Sequence, residues 1–201
     1  MTFQFFRSNF HDPVLFEQDL TYIAVGFVAW SALYSVIRML PNSMLFKEEP
    51  SKADNLDLRN RIVSIIHGTS ALCAGAYHFI QGGAECGVLN TSLQRAVLCF
   101  SLSYFTYDLV CMWIEGILDK AMMIHHPLCL LGLFIPLYEN ISGMECMLAI
   151  FLSEISNPMM HIRQILRISG RRYTKAYEIT EVTFISLYFY ARFIAIGPVV
   201  Y

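Results

Sequence analysis

Ala96–Ile114 reads AVLCFSLSYFTYDLVCMWI. Apart from Asp108, these 19 residues carry no formal charge, and their length suits a helix crossing a bilayer core. An ionisable side chain inside such a segment is costly, roughly 2.5–3.5 kcal/mol at a helix centre on insertion scales. It is retained where it faces a bundle interior and finds partners there. This stretch decides the fold class: all-α, a polytopic bundle of membrane helices around a polar site.

Working outward, six spans are expected: Leu20–Leu40, Ile62–Ile80, Ala96–Ile114, Met122–Tyr138, Met144–Ile162 and Ile179–Val200. Residues 1–19 precede them as a lumenal N-terminal segment, and 20–201 form one membrane domain. The N-terminal segment carries Arg7, Asp12, Glu17 and Asp19, so it does not read as a cleavable signal peptide. The first span then acts as a signal anchor. An even count leaves Tyr201 on the side of the N-terminus, at the end of an apolar run. A further, seventh span is expected to follow.

Composition agrees with a membrane domain. The chain of 201 residues is 56% hydrophobic and 15% charged, with mean hydropathy +0.49. Soluble domains carry about 25% charge. The net charge of -2 excludes a basic face that tracks nucleic-acid phosphates. The six cysteines show no CxxC spacing, which argues against a disulfide framework and a cysteine-type zinc site.

Charge also orients the chain. Segments 38–61, 115–121 and 163–177 hold 11 of the 14 basic residues and fall on one side of a six-span bundle. The positive-inside rule places them in the cytoplasm and the N-terminus in a lumen or outside. The sequons at Asn90 and Asn140 fall on the lumenal side.

The polar residues inside the spans converge. At about 1.5 Å of rise per residue, Asp108, His125 and His126 sit roughly 10–15 Å deep on either side of the turn near Leu118. His67 follows Arg61, and Glu154 and Asn157 precede Arg163, so these too lie in the cytoplasmic half. Tyr104 and Asp108 are one turn apart, so the phenol can reach the carboxylate face. Glu154, Asn157 and His161 share a face, and Pro158 deprives the Glu154 carbonyl of its helical donor and kinks the fifth span. Glu181 and Arg192 share another face and are expected to pair. Each polar group can also act as glue between helices rather than as a working site.

Four segments, in order, carry a family resemblance: Ile62-Val63-Ser64-Ile65-Ile66-His67-Gly68, Tyr104-Phe105-Thr106-Tyr107-Asp108-Leu109, Ile124-His125-His126-Pro127 and Ser153-Glu154-Ile155-Ser156-Asn157-Pro158. From about residue 61 to 201 the chain resembles the TLC-domain family, most closely the TLC domain-containing protein 5 subgroup and more distantly the ceramide synthases. The resemblance implies a lipid-related role and an endomembrane location such as the endoplasmic reticulum. If synthase chemistry carries over, it implies an acyl-CoA-dependent N-acyltransferase, with no resident cofactor and acyl-CoA as substrate. His125 and His126 would then be the catalytic imidazoles and Asp108 their orienting carboxylate. His67, Tyr104, Glu154 and Asn157 would contact lipid. After His126 the chain reads Pro-Leu-Cys-Leu-Leu-Gly-Leu, without the longer synthase motif. That departure favours a non-catalytic protein that binds membrane lipids or regulates their composition. A proton-coupled carrier and a zinc site of His67, Asp108 and one of the paired histidines are further alternatives. Oligomeric state has no sequence signal.

Overall fold

The computed structural model describes residues 12–82 and 85–194. Helix α1 (Pro13–Arg38) starts on Asp12, whose carboxylate accepts from the Val14 and Leu15 amides. Pro13 sits in its first turn, where a missing N–H costs nothing. One turn, α2 (Asn42–Leu45), leads to α3 (Lys52–Ile80), capped by Ser51. A capping box of Thr91 and Gln94 starts α4 (Ser92–Glu115), and Gly116, at φ 70°, ends it. Asp119 caps α5 (Lys120–Glu139). Next come α6 (Gly143–Glu154), α7 (Asn157–Ile168), α8 (Lys175–Phe189) and a π turn, Tyr190–Ile194.

All regular elements among the described residues are helical. Three helices among the described residues, α1, α4 and α5, are long and apolar enough to cross a membrane. Helix α3 has the length, but His67, His78 and its hydroxyl residues dilute its apolar character. The expected fifth span is not one helix. It divides at Ile155–Ser156 into α6 and α7, each of 12 residues. Pro158 explains the break, because it opens α7 where a proline is tolerated and cannot continue α6. Helix α1 begins at Pro13, ahead of the expected start of the first span at Leu20. Residues 1–11 and the end of the expected sixth span, 195–200, lie outside the described residues.

Helix α4 is the centre of the bundle and packs on α1, α3, α5 and α6. One apolar cluster joins α3, α4, α5 and α6 through Ala71, Leu98, Leu102, Leu137 and Met147. A second joins α1, α3 and α4 through Trp30, Ile37, Val63, Tyr107 and Cys111. The outer faces are apolar too: Val25 and Val28 on α1 and Leu128 and Leu131 on α5 are exposed. The polar residues lie inside, among them Arg59, Asn60, His67, Gln94, Asp108 and His126. Such an arrangement suits a lipid solvent, which offers polar groups no partners.

Polar clamps close both ends. At one, the buried Arg59 guanidinium donates to the carbonyls of Ile37 and Leu40 and so caps the end of α1. At the other, Arg95 donates to the Asp19 carboxylate and, at 2.6 Å, to Asn140 Oδ1. All three side chains are buried.

That second clamp occupies the sequons. Asn140 is held by Arg95, while Asn90 donates to the Pro136 carbonyl at 2.8 Å and accepts from the Gly143 amide at 2.7 Å. Neither side chain is free for a glycan. Expression in glycosylating cells is expected to give a protein whose gel mobility is unchanged by glycosidase. A shift on digestion that Asn140→Gln abolishes would show this clamp to be open in the cell.

Candidate functional site

Asn60 in α3, Tyr107 and Asp108 in α4 and His126 in α5 form one continuous network at the end of the bundle where α4 stops and α5 starts. Asp108 Oδ2 meets His126 Nε2 at 2.7 Å. Asp108 Oδ1 accepts from Asn60 Nδ2 at 2.6 Å. Asn60 Oδ1 in turn accepts from the Tyr107 hydroxyl at 2.8 Å. His126 Nδ1 faces the Met122 carbonyl at 3.1 Å. Asp108 is 5% exposed and His126 3%.

This geometry fixes the protons. A carbonyl only accepts, so Nδ1 of His126 carries a hydrogen. A second hydrogen lies in the bond to Asp108. The pair therefore shares one proton and is neutral as a unit, which suits an apolar interior. Both nitrogens of His126 are committed.

The other expected residues are placed separately. His67 is 1% exposed and stacks on Tyr104, with ring centroids 3.8 Å apart. Its Nε2 faces Ser101 Oγ at 3.3 Å. Tyr104 thus stacks on a histidine instead of serving Asp108. Tyr107 serves the network, through Asn60. The i,i+4 spacing correctly puts Tyr104 and Asp108 on neighbouring turns, but the aromatic wall of Trp30, Phe100 and His67 holds the Tyr104 ring. With His67 turned to Ser101, the alternative zinc set is not assembled. Among the described residues, no group of three or more His, Cys, Asp or Glu is placed to hold a metal.

His125 points away from His126, as adjacent residues about 100° apart on a helix must. Their rings are nearly perpendicular, at 88°. His125 is exposed, and its ring nitrogens lie 3.5 and 3.8 Å from the Cys129 sulfur.

Glu154 and Asn157 meet across the α6–α7 break, with Asn157 Nδ2 donating to Glu154 Oε2 at 3.1 Å. The carboxylate lies against Gly68 of α3, where an added Cβ would stand 2.6 Å from Oε2. That oxygen ends a flexible side chain and can move aside, whereas a Cβ added at Gly26 of α1 would stand 2.7 Å from the Ser103 Cβ of α4, so Gly26→Ala is expected to cost about 1–3 kcal/mol, in the range of an overpacked core. Thermal unfolding in detergent measures it. Gly132→Ala, with open space at its Cβ, is the control. His161, expected on the Glu154 face, turns to Arg61, 3.4 Å away.

The expected Glu181–Arg192 pair does not form. Eleven residues of helix separate them by about 16 Å along the axis. Glu181 instead pairs with Arg163 of α7, at 2.9 and 3.0 Å, and accepts from Tyr177. Arg192 donates at 2.9 Å to the Leu152 carbonyl, one of those left over at the end of α6.

Sequence reasoning missed Asn60, Tyr107, Asp19 and Arg95. Asn60 had a signal. It precedes His67 by seven residues, two helical turns, so the buried stripe of α3 extends through it.

An all-helical bundle with apolar outer faces and a closed carboxylate–imidazole network inside defines an integral membrane protein. The TLC-domain family model matches residues 57–201, and the chain belongs to that family. No solved structure matches it. Helix α1, which packs on α4, precedes the matched region.

Proposed function

We propose that this chain is a multi-pass membrane protein with a lipid-related role, binding membrane lipids or regulating their composition. The polar network is the core of its site and lies in the cytoplasmic half of the membrane. Six spans complete the bundle, with α3, the broken α6–α7 pair and α8 adding to the three longest apolar helices. Basic loops face the cytoplasm and the N-terminus a lumen. The endoplasmic reticulum and a place in the TLC domain-containing protein 5 subgroup follow from the sequence resemblance.

One observation carries the binding reading. His126 faces oxygen atoms with both nitrogens, so neither is open to a substrate. It fastens α5 to α4 and completes a polar wall.

The alternative is an acyl-CoA-dependent N-acyltransferase. The exposed His125 ring beside the Cys129 thiol favours it, as an imidazole without an oxygen partner can serve as base. Purified protein is to be incubated with long-chain acyl-CoA and a panel of lipid amines and alcohols. Mass spectrometry then follows product and protein adducts. The expected result is intact acyl-CoA with wild type and His125→Ala alike. Product or adduct that His125→Ala abolishes would make the chain an acyltransferase.

A further inference from the structure

A pocket of about 220 Å³ lies between α1 and α4, beside the polar network but on its far side from α5. Phe27, Tyr34, Tyr107 and Ile114 form its walls, and Arg38 and Glu115 stand at its mouth. Pockets for whole drug-sized ligands run to about 300–1,000 Å³. This one is the size of a headgroup.

Three features define what it takes. Arg38 and Glu115 are the last residues of two span-length helices, so both lie at the level of a membrane surface. They bond to each other, with Arg38 half exposed and Glu115 15% exposed. Deeper in, the Tyr34 hydroxyl is buried and has no hydrogen-bond partner among the described residues. Its neighbour Cys111 offers only a weak sulfur acceptor. A buried hydroxyl left unpaired is costly, so a ligand that satisfies it gains affinity.

We propose that this groove binds the headgroup of a zwitterionic phospholipid, phosphocholine or phosphoethanolamine. The phosphate takes Arg38 and the Tyr34 hydroxyl. The ammonium takes Glu115 and the Tyr107 ring, an aromatic surface that organic cations prefer, while the Arg38 guanidinium lies over the Tyr34 ring. The acyl chains run outside along Ile114, which is 71% exposed.

Charge selects the zwitterion. Binding exchanges one ion pair for two and adds no net charge. An anionic lipid would capture Arg38 and strand the Glu115 carboxylate without a partner. The apolar wall selects a lipid over its water-soluble headgroup. Tyr107 links the two sites, since it lines the groove and donates to the Asn60 that holds Asp108. The proposal rests on the membrane reading above but on neither choice about catalysis.

The test is native mass spectrometry of the full chain in detergent, titrated with dioleoyl-phosphatidylcholine or dioleoyl-phosphatidylglycerol. Wild type is expected to hold one phosphatidylcholine, about tenfold more tightly than phosphatidylglycerol. Glycerophosphocholine at equal concentration should not displace it. Arg38→Gln should weaken both lipids by about tenfold, the loss of a charge-assisted bond. Tyr34→Phe should weaken phosphatidylcholine by about threefold. Glu115→Gln should shift the preference towards phosphatidylglycerol, which a merely structural ion pair would not do. If Arg38→Gln does not fold, Glu115→Gln and Tyr34→Phe decide. Equal binding of the two lipids by wild type, or a ratio unmoved by Glu115→Gln, overturns the proposal. Neither outcome depends on the fate of acyl-CoA.

Discussion

Asp108→Ala is expected to destabilise the detergent-solubilised protein by about 3–5 kcal/mol, the cost of breaking a buried charge pair by removing one partner. An ordinary interhelical hydrogen bond inside a membrane is worth only about 0.6–1.7 kcal/mol. The larger figure applies because two buried groups lose their partner together, and a third is bonded to one of them. His126 Nε2 and Asn60 Nδ2 both point at the carboxylate, and Tyr107 reaches it through Asn60. Without Asp108, His126 keeps only the Met122 carbonyl. Asp108→Asn preserves the shape and one acceptor and should cost about 1–2 kcal/mol. His126→Ala combined with Asp108→Ala should cost less than the two changes summed, by about 1 kcal/mol or more. Unfolding in graded SDS, read by circular dichroism, measures all four. A loss under about 1 kcal/mol for Asp108→Ala, with no coupling to His126, would mean that the two side chains do not share a proton.

Arg95→Leu should have a comparable effect, about 3–5 kcal/mol, at the opposite end of the bundle. Its guanidinium is a fork with one arm on Asp19 and one on Asn140, and it ties α1 to α4 and to the end of α5. Removing it leaves the Asp19 carboxylate buried with no cation. Asp19→Asn in the Arg95→Leu background should recover part of the loss, because the stranded charge is gone. Arg95→Lys should fall between, since one ammonium on a flexible stem does not reproduce the planar fork. The same SDS titration applies. Recovery by Asp19→Asn separates the electrostatic cause from lost packing, which the second change cannot restore.

Much of the architecture is legible in the sequence because lipid imposes a simple code. Long apolar runs make α1, α4 and α5, and Asp108 within one of them signals an interior polar site. Counting residues from the turn near Leu118 brings Asp108 and His126 to one level, and the structure joins them at 2.7 Å. What the code omits is partner choice. Glu181 takes Arg163 from the neighbouring helix rather than Arg192 from its own chain segment, a matter of helix packing that no local spacing encodes. Tyr104 and Tyr107 both stand within reach of the Asp108 turn. Only the aromatic wall around His67 determines that the first stacks and the second donates. Asn60 and Arg95 were hidden for another reason. Each sits where a hydrophilic loop gives way to an apolar helix, so composition assigns it to solvent, while the fold buries it at 5% and 8% exposure.

The polar network at Asp108 and His126 is held to serve lipid in the membrane, and the most direct test is lipid mass spectrometry of whole membranes. Membranes from cells producing the wild-type chain are to be compared with those producing Asp108→Asn at equal protein level. The wild type should shift phospholipid or sphingolipid composition relative to empty cells, and Asp108→Asn should leave it near the empty-cell profile. The same shift from both proteins, or none from the wild type, would contradict a lipid role built on this network.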